Sequence, residues 1–145
     1  MSASSRYETD FYAWANEQTA LLRAGRLDAA DIEHIAEEIE SMGKGERREL
    51  ESRLDVLLLH LLKWQYQPAL RGNSWRLTIK EQRRRVVRHL QQNPSLKAEL
   101  GCALADAYGD ALIEAERETG LPEPTFPPTC PWSFAEIADD GFWPE

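Results

Sequence analysis

The stretch LDVLLLHLLKWQYQP, residues 54–68, carries leucines at 54, 57, 58 and 61 and a tryptophan at 64. Together with Leu50 these recur at the spacing that puts apolar side chains on one face of an α-helix. Pro68 ends the run, because proline disfavours helix in the residue before it and has no backbone donor. The spacing predicts a helix from about Lys44 to Gln67, roughly 35 Å long at 1.5 Å per residue. On its wheel Lys63 points to solvent, while Glu49, Arg53, Val56 and His60 line a flank about a quarter turn from the leucines.

Working outward, helical spacing recurs on both sides. Thr9 is placed to cap a helix through Phe11, Trp14, Gln18, Leu21 and Leu22 that stops at Gly25. A second helix opens at Leu27 and Asp28, with Ile32, Ile35, Ala36, Ile39 and Met42 on one face, and ends before Gly43. C-terminal to Pro68, a fourth helix starts at Ser74 or at a Thr78/Glu81 capping box and fades near Gln92. A fifth runs from Pro94 to Thr119, with alanines at 103, 107, 111 and 115 that allow close helix approach and Gly120 after it. The segment LPEPTFPPTCPW is too rich in proline for regular helix or central strand. It reads as an ordered strap that covers Leu121, Phe126, Trp132, Phe134, Phe142 and Trp143, with one short helix capped by Ser133 and Glu136 and ending at Gly141. No segment alternates as a strand. The expectation is an all-α bundle of about five main helices with a Pro-rich C-terminal strap and one short terminal helix, forming a single domain over 1–145 in which residues 1–6 are flexible and 121–145 pack on the bundle.

Composition narrows the function classes. A chain of 145 residues buries enough surface to fold without a metal or a disulfide. The net charge of −8 argues against a protein that coats nucleic acid over its whole surface. Cys102 and Cys130 have no partner at zinc-finger spacing and read as free thiols of a reducing cytosol. MSASSRYETD lacks an apolar signal core, and the longest uninterrupted aliphatic run, Val56 to Leu59, is far shorter than a membrane span, so a cytoplasmic protein without a membrane segment is expected.

Several unusual motifs follow in order: DFYAW, EEIESMG, HLLKWQYQP, SWRLTIKEQR, NPSL, ETGL, FPPTCPW and a terminal FWPE. In that order, from about Tyr7 to the C-terminus, the chain resembles the bacterial domain-of-unknown-function family 29. The resemblance implies a small, mostly helical protein and brings no established activity, cofactor or catalytic residue.

Chemistry therefore rests on the residues. Arg83 falls between Ile79, Val86 and Leu90 in an apolar stripe, and a buried arginine needs carboxylates or other acceptors. The simplest expectation is a structural polar network of Arg83, Glu38 or Glu49, Arg53 and His60 that fixes how helices pack. A sharper one makes the same cluster catalytic, with His60 as general base, oriented by Glu38 or Glu49 and flanked by Arg53. No glycine-rich phosphate loop, strained nucleophile turn or H-E-x-x-H pattern is present, so neither a cofactor nor a metal is expected.

Residues 71–88 hold seven Arg or Lys against one Glu, which leaves about −14 for the rest of the chain. Arg76, Lys80, Arg84 and Arg88 stack at i, i+4 spacing into an exposed stripe suited to an acidic protein partner, to self-association or to a nucleic-acid backbone, with Trp75 available to stack on a base. Trp14 and Trp64 read as core. The leading expectation is a non-enzymatic protein-protein interaction or adaptor module; the alternatives are a small enzyme built on His60 and a nucleic-acid-associated regulator that uses the basic stripe.

Overall fold

The structure, a computed structural model, describes residues 3–145, with side chains from Arg6 onward. Helices and short 3-10 turns make up all of its regular structure among the described residues, in the order α1 (Ala3–Thr9), α2 (Phe11–Arg23), α3 (Ile32–Tyr66), α4 (Asn73–Gln92), α5 (Leu100–Thr119) and α6 (Phe134–Ala138). The all-α expectation holds. Ala3 to Arg6 lie in α1, and Met1 and Ser2 are outside the described residues. Two compact units divide the chain between Gly45 and Glu46.

In the first unit, Asp10 rather than Thr9 caps α2, its carboxylate accepting the Ala13 N–H at 3.1 Å. A carboxylate is the stronger acceptor there, because it also faces the positive end of the helix dipole. Gly25 follows α2 at φ 73, and the amides of Gly25 and Arg26 reach back to the carbonyls of Leu22 and Leu21 at 3.0 and 2.8 Å. That reverse turn needs a left-handed residue, which glycine supplies without steric cost. Trp14 and Gln18 are the buried side chains of α2.

The expected break at Gly43 is absent, and α3 runs unbroken from Ile32 to Tyr66. Among the described glycines only Gly25 and Gly120 take a positive φ, so Gly43 stays in the helical ladder despite its cost of about 1 kcal/mol relative to alanine. The expected apolar face of this first stretch is not a core face either. Ile32, Ile39 and Met42 are exposed.

The second unit closes on the leucines of α3. Leu50, Leu54, Leu57, Leu58, Leu61 and Leu62 are fully buried against Ile79 and Val86 of α4, Ala103, Ala107, Ala111 and Ala115 of α5, and Phe126, Trp132 and Ile137 of the strap. α4 begins at Asn73, so Thr78 lies inside the helix and the expected Thr78/Glu81 box does not form. Pro94 to Glu99 is a 3-10 segment ahead of α5, which ends on Gly120 at φ 75. Ser133 and Glu136 make the expected reciprocal capping box on α6, which stops at Ala138 instead of Gly141.

Two side chains depart from their wheel positions. Lys63 is buried, its Nζ 3.5 Å from Glu118 of α5 and 4.8 Å from the centre of the Trp75 ring of α4. A wheel gives a direction around one helix and cannot show that two neighbours close over it. Trp64 is half-buried and packs on Trp143, with ring centres 4.6 Å apart.

Candidate functional site

α4 has two chemically distinct faces, and Arg83 stands between them. Its side chain is 1% exposed, as the apolar stripe required, but no carboxylate among the described residues forms an ion pair with it. Nε donates to the Ile137 carbonyl at 2.8 Å, Nη2 to the Phe142 carbonyl at 2.5 Å and Nη1 to the Asp140 carbonyl at 3.5 Å, and the guanidinium carbon lies 5.2 Å from the centre of the Trp143 ring. Burial lowers its pKa, while the nearby charges of Asp140 and Asp139 oppose that shift. Arg83 thus ties the strap to α4 through main-chain dipoles. The expectation of a carboxylate partner from α3 is corrected: a strap without regular hydrogen bonding has carbonyls to spare.

Beside Arg83 the i, i+4 spacing brings Arg76, Lys80, Arg84 and Arg88 onto one exposed side of α4. Lys80, Arg84, Arg88, Gln91 and Ala138 line an open groove of about 460 Å³ with Arg83 and Asp140. A second recess of about 360 Å³, lined by Arg76, Lys80 and Trp143, adjoins it along the helix. Among the described residues, Lys80, Arg84 and Arg88 make no ion pair, and Arg76 reaches only the side-chain oxygen of Asn73. The contrast on the same helix is Arg85, held 2.8 Å from Glu81. Trp75, expected to be free for stacking, is half-buried under Lys63.

The expected catalytic or structural cluster is dispersed. Nδ1 of His60 lies 2.8 Å from the carbonyl oxygen of Val56 in its own helix, and burial lowers the pKa of the ring. Glu49 lies 3.7 Å from Arg53 along α3, and Glu38 accepts the Tyr7 hydroxyl at 2.5 Å in the first unit. No carboxylate among the described residues pairs with His60.

A histidine of the first unit, His34, is engaged instead. Nδ1 of His34 is 2.7 Å from Asp31 Oδ2, the same oxygen accepts Trp14 Nε1–H at 3.0 Å, and the Tyr7 ring stacks on the imidazole at 4.0 Å. Desolvation would raise the Asp31 pKa, but the hydrogen bonds from His34 and Trp14 outweigh it and hold it low. His34 is raised by its bond to Asp31, and Tyr7 is pushed up to about 12 by its bond to Glu38. The i, i+3 spacing of Asp31 and His34 was the available signal.

The sequence profile of the family described as domain of unknown function DUF29 matches residues 6–143. The chain belongs to that family. No curated protein and no solved structure matches it. The DUF29 match takes in the basic side of α4 and the strap that Arg83 secures. No helix of this DUF29 chain, among the described residues, is long and apolar enough to cross a membrane.

Proposed function

We propose that the chain is a non-enzymatic binding module that holds an acidic segment of a partner protein along α4. The observation that carries this reading is the row of exposed Arg and Lys without carboxylate partners, opening on a groove of about 460 Å³. The twelve helical rises from Arg76 to Arg88 span roughly 18 Å, the length of five or six residues of extended chain. A short acidic segment meets this row alone. A long nucleic acid would also meet the surface of a chain whose net charge is −8. Exposed Ile39 and Met42 in the first unit support a protein partner as well, since exposed apolar groups are sites of protein contact. The small-enzyme reading has less support, because His60 is turned onto its own helix carbonyl.

The test is fluorescence anisotropy of a labelled poly-glutamate peptide with the full chain. Binding should weaken steeply as salt rises and be lost in the Arg84→Glu/Arg88→Glu variant. No binding at low salt, or equal binding by that variant, refutes the reading. Tighter retention of single-stranded DNA than of the peptide would replace it with a nucleic-acid function.

A further inference from the structure

We infer that Glu46, Glu49 and His89 form a site for one divalent transition-metal ion, zinc by the nature of the ligands. Glu46 and Glu49 stand one turn apart on α3, and His89 reaches them from α4. One ligand atom from each lies within 4.8 Å of the other two.

The imidazole decides the chemistry. His89 is 6% exposed, so its two nitrogens are set by the protein rather than by bulk water. Nε2 lies 2.7 Å from the main-chain carbonyl oxygen of Glu46, an atom that only accepts, so Nε2 carries the hydrogen and donates it. The nitrogen left for an ion is Nδ1. The carboxylate oxygen facing Nδ1 is Glu49 Oε2 at 3.7 Å, too far for a hydrogen bond and an acceptor in its own right. An ion between Nδ1 and that oxygen would bind both. Metal bonds of roughly 2.0–2.2 Å to nitrogen and oxygen place two ligands of one ion up to about 4.3 Å apart, which accommodates this separation.

The remaining features match what such an ion requires. A metal-bound histidine commonly gives its second N–H to a carbonyl, which fixes the ring, and here the Glu46 carbonyl already receives it. The Glu46 carboxylate, with Oε2 3.4 Å from Nε2 and 3.5 Å from Asn93 Nδ2, belongs to a side chain that is 49% exposed and would turn onto the ion by exchanging that one weak hydrogen bond. One imidazole and two carboxylates form a mixed nitrogen–oxygen set that suits zinc over calcium or magnesium. Three protein ligands leave one position open, and beside them lies a cleft of about 210 Å³ walled by Arg53, Arg85 and Arg88. Water or a small anion takes that position.

The test is calorimetric titration of the EDTA-treated full chain with zinc chloride, followed by thermal melting with and without zinc. The wild type should bind one zinc per chain and melt higher with zinc present. Glu46→Gln/Glu49→Gln alters two half-exposed side chains, so its melting temperature in EDTA should stay near that of the wild type. Its zinc affinity should fall at least tenfold, and zinc should no longer raise its melting temperature. Absence of saturable binding to the wild type, or wild-type affinity in the variant, overturns the proposal. Should the variant melt much lower in EDTA, Glu49→Gln alone makes the same comparison.

Discussion

Helix α3 carries one apolar periodicity through two environments. From Leu50 to Leu62 its leucines are buried against α4, α5 and the strap. From Ile32 to Met42 the same spacing leaves Ile39 64% and Met42 69% exposed. Within the first unit, buried contacts come instead from Trp14 and Gln18, which hydrogen-bond Asp31 at 3.0 and 2.7 Å. The difference teaches that amphipathic spacing specifies a helix and an apolar stripe, whereas burial depends on whether another element offers a matching surface.

The sharpest way to break the comparison is to truncate one residue in each stretch. Leu57→Ala empties a fully buried position and should cost about 2–5 kcal/mol, while Ile39→Ala should change stability by less than about 0.5 kcal/mol. Denaturant unfolding of both variants measures this, and similar losses in the two would show that Ile39 is covered. The next effect is at the strap. Arg83→Met keeps apolar volume but strips the donors from the carbonyls of Ile137, Asp140 and Phe142, for an expected loss of about 2–4 kcal/mol. A melting temperature equal to wild type would mean that those carbonyls find water at no cost.

The smallest effect has the opposite sign. Asp55 of α3 has its pKa raised to about 6 by desolvation and by the charges of Asp110 and Glu114 on α5, and its Oδ1 is buried without a hydrogen-bond partner among the described residues. A raised carboxyl pKa means that the folded chain holds the proton more tightly than the unfolded chain, so ionisation weakens the fold as pH rises through about 4 to 6. Asp55→Asn should therefore stabilise at pH 7.5 by about 1 kcal/mol, less than the full shift implies because water reaches part of the carboxylate, and by almost nothing at pH 4. Urea midpoints at the two pH values check it, and an equal gain at both would exclude ionisation as the cause.

Much of the second unit was legible because its signals are local. Leucine spacing marked α3, alanine spacing marked α5, Ser133 with Glu136 marked α6, and Gly120 marked a helix end. Gly43 misled because glycine admits both a helix end and a helix interior, and only the neighbouring hydrogen bonds select between them. The basic stripe was readable from i, i+4 spacing, but its freedom from ion pairs was not, since that depends on carboxylates distant in sequence. The expected His60 cluster failed for the same reason. A wheel places His60, Glu49 and Arg53 on one flank, yet His60 bonds its own Val56 carbonyl, while Glu49 faces Arg53 and His89.

By itself, the sequence determined helices, their apolar stripes, the proline stop at residue 68 and the concentration of positive charge on α4. These follow from spacing and backbone chemistry within a few residues. Tertiary structure alone decided which stripe is buried, that Arg83 bonds strap carbonyls, that Lys63 is covered, and that His89 meets Glu46 and Glu49 across 43 and 40 residues of chain. Such partners are chosen by the packing of whole elements, and no local pattern encodes the distance between side chains that only folding brings together.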